Sequence, residues 1–142
     1  MNKKVLFITD TLEELDLKKD TSILMMEESI KLGFDVYQCL VEDLYAENSE
    51  VIVFAKKITT AGSSEIKFED ASTHSIKTFE YSFMRKDPPV DEDYINALHL
   101  LGLAQAMGTK VFNNPVSIKE FNEKVFAIHF AKYLPETLIS SK

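Results

Sequence analysis

The stretch "FMRKDPPVDEDY", Phe83 to Tyr94, places an arginine, a lysine and an aspartate directly before two prolines, with three more acids close behind. An arginine fork matches a carboxylate and a lysine supplies a point charge, so this cluster has the means to hold an anionic small molecule. A second polar set lies earlier, with Asp10 after an apolar run and then Lys18 to Ser22. Thr21 and Ser22 open a helical pattern, where free backbone amides can meet a carboxylate. The same residues admit a plainer structural reading, in which Asp20 or Thr21 is only an N-cap and Arg85 pairs with a neighbouring acid.

The elements that must position these groups can be read from the pattern. A residue before proline is pushed out of the α region, and Pro88 and Pro89 fix their own φ, so the chain stays extended through Asp87. Asp91, Glu92 and Asp93 suit the first turn of a helix, facing the positive end of its dipole. The segment therefore predicts strand, rigid corner, helix. Arg85 and Lys86 point to opposite faces of that strand, and a sheet covered on both faces holds neither in its middle. Both belong at the strand's carboxyl end, the edge where open α/β sheets bind ligands.

The run "VLFI", Val5 to Ile8, is apolar without alternation, which predicts a central parallel strand buried on both faces. Ile23, Met26 and Ile30 recur at helical spacing before Gly33, a C-terminal stop. "FDVYQCLV" then supplies a second strand and closes a right-handed βαβ unit. From Glu50 to Glu80 the texture is β-prone without helical period, predicting a β-hairpin or meander attached to the sheet. In "DEDYINALHLLGLAQAMG", Ala97, Leu100, Leu101, Ala104 and Met107 form one stripe, while Ile95, Leu98 and Leu103 spread apolar surface beyond it. That surplus predicts a second packing partner, another domain or another subunit. "TKVFNN" reads as a short strand, and "SIKE", Ser117 to Glu120, as a capping box opening a helix with Phe121, Val125 and Ile128 on one face. Pro135 ends that helix, and "ETLISSK" begins something β-like. The expected fold is an α/β domain, doubly wound, with a mainly parallel sheet and a β-hairpin insertion.

At 142 residues the chain fits one domain, and its 45% hydrophobic and 27% charged residues describe a packed globule rather than a disordered tract. A net charge of −7 argues against a general nucleic-acid binder, which needs clustered cations for phosphates. The single cysteine, Cys39, rules out an intramolecular disulfide and reads as a buried inert thiol in a strand. No run approaches the ~20 apolar residues of a membrane span, so a soluble cytoplasmic protein is expected. The four glycines are too scattered for a dinucleotide fingerprint or a Walker A loop. His74, His99 and His129 show no metal-ligand pairing, and there is no G-x-S-x-G elbow.

Taken in order, "LDLKKDTSILMMEESIKLGFDVYQCLVEDLY", "FMRKDPPVDEDYI", "GTKVFNNPVSIKEFNEKVFAIHF" and "LPETLIS" resemble the N-terminal domain of bacterial-type glutathione synthetase. The resemblance covers nearly the whole chain apart from a variable middle. It implies a Rossmann-like pre-ATP-grasp domain over residues 1–123, on the peptide-substrate side, with 124–142 as the start of an ATP-grasp domain. The parent reaction it implies is ATP-dependent ligation of γ-glutamylcysteine to glycine through an acyl phosphate, with ATP and Mg²⁺ as cofactors. By matching motif, Lys124 of "NEK" is expected at the ATP phosphates, and Lys18, Asp20, Thr21 and Arg85 at the substrate. Asn114 stands where the family pattern has a lysine before the proline, so no basic role is carried over there. The acidic Mg²⁺ ligands lie outside this sequence. No catalytic residue or metal ligand is assigned, no cofactor is expected on this domain alone, and the isolated chain is expected to be inactive as a ligase.

Two other classes fit the residues. One is a non-catalytic α/β interaction or oligomerisation domain, with the broad apolar surface of the Asp91 to Gly108 helix as a subunit interface; a homo-oligomer is expected under either of these first two readings. The other is a receiver-like signalling domain, for which Asp10 alone is weak support.

Overall fold

Val5 to Ile8 form the middle of the sheet, as their unalternated apolar character predicts. The computed structural model describes residues 2–122 and 124–140. Among them are eight strands: β1 (Lys4–Ile8), β2 (Asp35–Cys39), β3 (Leu44–Glu47), β4 (Glu50–Ala61), β5 (Ile66–Phe68), β6 (Ser72–Ser75), β7 (Phe79–Met84) and β8 (Val111–Phe112). Their order is β3-β4-β2-β1-β7-β8, with β5 and β6 paired to β4 off that path. The central strands β2, β1, β7 and β8 are mutually parallel, and the antiparallel strands extend the β2 side. The β-rich middle third is thus larger than one hairpin. The long strand β4 pairs with four others: at Val53 it lies between β3 and β6, and at Ile58 between β2 and β5.

Among the described residues the sheet is joined by three α-helices: α1 (Thr21–Lys31), α2 (Glu92–Ala106) and α3 (Pro115–Glu120). Side-chain alternation on β1 sorts them onto opposite faces. Val5 and Phe7 share one core with Val36 and with Met26 of α1, while Leu6 and Ile8 share another with Ala97, Leu98 and Leu101 of α2. The sheet is therefore doubly wound. Asp20 caps α1 by accepting the Ser22 amide at 2.7 Å, and the chain leaves the helix through Gly33 at φ +83°, a conformation glycine adopts without strain. Cys39 is buried, and burial pushes its thiol well above its ordinary range, consistent with an inert core residue.

The surplus apolar surface on α2 is partly covered from within the chain. Ile95 and Leu100 pack against the core beside Ile118 of α3, leaving Leu103 and Met107 among the exposed large hydrophobics. The last third departs from expectation. Helix α3 starts three residues earlier than the "SIKE" capping box predicts, because Asn114 is the cap: its side chain accepts the amides of Val116 and Ser117, with Pro115 at the first helical position. Ser117 is consequently inside the helix, not at its cap. The helix ends at Glu120, so Phe121, Val125 and Ile128 do not line one helical face; all three are exposed, and residues Phe126–Tyr133 form a separate 3₁₀ segment. Residues 137–140 adopt no strand, and the rest of "ETLISSK", Ser141 and Lys142, lies outside the described residues.

His74 on β6 packs edge-on against Tyr37 at 4.8 Å and Phe79 at 5.7 Å between ring centroids. Burial, aided by the Lys4 charge, lowers its pKa below the ordinary 6.5. A histidine whose folded-state pKa is depressed contributes stability at neutral pH, and that contribution falls as pH drops below the unfolded value. Thermal unfolding of the wild type is therefore expected to lose midpoint between pH 7.5 and 5.5, and His74→Gln to flatten that part of the profile. Parallel profiles would assign the acid sensitivity to other groups.

Candidate functional site

The carboxyl ends of β1, β2 and β7 meet at the point where the strand order reverses direction. From β1 the chain runs through α1 to β2 on one side, and from β7 through α2 to β8 on the other, so the connections diverge and leave a crevice. A cleft of about 530 Å³ occupies it, lined among others by Asp10, Glu14, Asp20, Glu42, Lys86 and Asp87. Its floor is charged, and the charge is arranged rather than scattered.

Arg85 and Lys86, just beyond the end of β7, reach different partners. The Arg85 amide makes the last bond of the β1–β7 ladder, to the Ile8 carbonyl at 2.8 Å, and its Nε donates to Ser22 Oγ at 3.3 Å, on the α1 side. Lys86 places its Nζ 2.6 Å from Asp10 Oδ1 and 2.8 Å from the Asp87 carbonyl. The second Asp10 oxygen accepts the Asp87 amide at 3.0 Å. The hydrogen bond to Asp10 holds the Lys86 ammonium above its ordinary pKa, against the opposing effect of burial. Lys86, not Arg85, is thus the residue paired with a local acid.

Gln38 on β2 anchors the far side. Its amide nitrogen donates to Thr9 Oγ1 at 3.1 Å, the Cys39 carbonyl at 3.1 Å and, more loosely, the Asp10 carbonyl at 3.4 Å. Thr9 Oγ1 in turn donates to the Asp10 carbonyl at 2.7 Å. Both Gln38 and Thr9 are buried. The sequence signal for this anchor was a glutamine inside an otherwise apolar strand, which pattern reading passes over because one polar residue does not break a strand.

The expected substrate residues fall into two groups. Lys18, Asp20 and Thr21 line a smaller cleft of about 200 Å³ at the start of α1. Asp20 also borders the larger cleft while its carboxylate caps the helix, so the Ser22 amide is already taken. Arg85 is exposed and reaches the same end of α1 through Ser22, although it stands outside both linings. Lys124 is not brought to either cleft. It is exposed, and its amide, with that of Val125, is held by the Asn122 side chain at 3.0 and 2.9 Å. Glu123 of the "NEK" motif lies outside the described residues.

Residues 3–119 match the family described as prokaryotic glutathione synthetase, N-terminal domain. Among curated proteins the chain is 33% identical over 137 residues to a glutathione synthetase of Parasynechococcus marenigrum (strain WH8102), covering 96% of this chain and 44% of that protein. It is 34% identical over 139 residues to the glutathione synthetase of Prochlorococcus marinus subsp. pastoris, covering 98% and 45%. With that of Neisseria meningitidis serogroup A it shares 32% over 145 residues, covering 98% and 46%. The chain thus spans less than half the length of these relatives, and the matched part is their glutathione-synthetase N-terminal domain. No helix among the described residues is long and apolar enough to cross a membrane. By the extent of the match over residues 3–119, this chain belongs to the prokaryotic glutathione synthetase family.

Proposed function

We propose that this chain is the peptide-substrate side of a cytoplasmic glutathione synthetase, which joins γ-glutamylcysteine to glycine with ATP and Mg²⁺. The observation that supports this best is the likeness to proteins named glutathione synthetase over 96–98% of the chain. The switch-point cleft, lined by Lys86 with Arg85 adjacent to it in the chain, lies where such a fold receives a ligand. In this reading Lys18, Asp20, Thr21 and Arg85 meet the dipeptide. Residues 1–123 are the substrate-side domain, and 124–142 lead into an ATP-grasp domain.

Among the described residues no group of three or more His, Cys, Asp or Glu is placed to hold a metal ion. The chain's own residues do not fit Mg²⁺, and its ligands are assigned to the part of the relatives' length that this chain does not match. Phosphoryl transfer needs metal-assisted positioning, so this chain alone is expected to make no glutathione from γ-glutamylcysteine, glycine, ATP and Mg²⁺. Ligase activity in a pure sample of the 142-residue chain would refute that division of labour. The reading itself is tested by joining the chain to the remainder of its reading frame and assaying the same reaction; absence of glutathione formation there would overturn it.

Lys124 carries the ATP side of the proposal. As a point charge on a nucleotide phosphate, its replacement in Lys124→Met is expected to raise the KM for ATP at least about tenfold while leaving that for γ-glutamylcysteine nearly unchanged. Equal effects on both substrates would remove it from the nucleotide site.

A second reading, a non-catalytic interaction or oligomerisation domain, draws on the exposed apolar residues Leu103, Met107, Phe121, Val125 and Phe130. It is compatible with the first, and a homo-oligomer is proposed under both. Light scattering on the pure chain would return a multiple of the 16.2 kDa protomer mass; a monomer would remove the homo-oligomer from both readings.

A further inference from the structure

We infer that Asp10 is a positioning residue, which clamps the two residues following Arg85 and thereby fixes the direction in which the Arg85 guanidinium is presented. The inference rests on the reading of Arg85 as a substrate-side residue. Its geometry stands independently of that reading.

Arg85 is the first residue beyond β7, held to β1 by its amide bond to Ile8. A strand end held by one backbone bond is free to splay, and an exposed arginine has many rotamers to lose before it can bind with a defined direction. Asp10 restrains the chain just past that bond with both carboxylate oxygens, one on the Lys86 ammonium and one on the Asp87 amide. With Lys86 held on Asp10, Arg85 is left to reach a different partner, Ser22 on α1, which receives its Nε. Asp10 itself is held from β2 by Gln38 and locally by the Thr9 hydroxyl, both donating to its carbonyl. A chain of hydrogen bonds therefore runs across three strand ends, from Gln38 through Thr9 and Asp10 to Lys86 and Asp87, and reaches Arg85 through the backbone it shares with Lys86. None of its members between Gln38 and Asp87 needs to touch a ligand to set the direction of Arg85.

The test is made first on the 142-residue chain itself, by following the Arg85 Nε–H signal in NMR spectra. In the wild type this proton is expected to be shifted and slowed in exchange by its bond to Ser22. In Asp10→Ala the signal should collapse to that of a solvent-exposed arginine while core methyl signals stay in place. Asp10→Asn keeps an acceptor for the Asp87 amide and should restore much of it. An unchanged Arg85 signal in Asp10→Ala overturns the inference. If Asp10→Ala does not fold, Lys86→Met decides, because it removes one half of the clamp: a shifted Arg85 signal supports the inference and an unchanged one refutes it.

Kinetics in the chain extended through its reading frame separate this inference from the proposed function. Asp10→Ala should raise the KM for γ-glutamylcysteine about tenfold with little change for ATP, and Asp10→Asn should recover part of the loss. If Arg85→Ala alters use of the dipeptide and Asp10→Ala does not, positioning by Asp10 is wrong and the site stands. If Arg85→Ala has no effect on the dipeptide, the substrate reading of Arg85 fails, whatever the NMR result.

Discussion

Phe7→Ala is expected to cost about 3–5 kcal/mol of folding stability, the range for emptying the space of a buried aromatic ring. Phe7 has no solvent exposure, lies on the central strand and stacks on Phe83 with ring centroids 5.1 Å apart and planes inclined by 20°. The stack continues to Phe112 on the edge strand, 5.7 Å from Phe83. A cavity at Phe7 would therefore unsupport a column of rings across three adjacent parallel strands, with α1 unable to sink into the gap because Met26 already fills its own place in that core. Chemical denaturation measures the loss as a lower midpoint at unchanged slope. A loss below about 1 kcal/mol would mean that the strands close over the site, and that the ring column contributes far less than its burial implies.

Arg85→Ala is the larger effect on function. In the chain extended through its reading frame, loss of a charge-assisted contact to the dipeptide is expected to lower kcat/KM for γ-glutamylcysteine by roughly 1.5–3 kcal/mol, between about ten- and 150-fold. Stability should change little, because Arg85 is exposed and its side-chain bond to Ser22 is long. Arg85→Lys should not rescue the loss, since an ammonium cannot reproduce a planar fork. Unchanged kinetics for the dipeptide would leave Arg85 as a surface residue whose only role is to cover the start of α1.

Much of this architecture was legible because burial writes itself into pattern. Val5 to Ile8 had to be central, since no edge or half-exposed strand tolerates that run, and Asp20 and Gly33 bracket α1 as caps do. That Arg85 and Lys86 lie at the carboxyl end of their strand followed from the two prolines and from the cost of a charge in mid-sheet. Which acid would meet which cation did not, because Asp10 and Lys86 are far apart in sequence and only the parallel pairing of β1 with β7 aligns their strand ends. The extent of β4 was also hidden: four strands pair with it, and no local pattern announces two partners on each edge. The misplacement of α3 has a local cause. Two cap signals lie three residues apart, and Asn114 with a following proline outcompetes Ser117 because proline is already set for the first helical turn.

The position of β1 between β2 and β7 also bears on the order of assembly. Its contact with β2 needs only the α1 crossover and can form early, but its contact with β7 must wait until the whole β-rich middle third has been threaded past. Closing that longer loop costs more chain entropy before any packing is gained, so the β1–β7 edge is the natural late step. Until then, one side of the most apolar strand in the molecule stands open with its amides and carbonyls unpaired, a template for any other extended chain. During synthesis that interval lasts until Met84 has emerged, and nascent chains shorter than this are the species in which intermolecular strand pairing competes with folding.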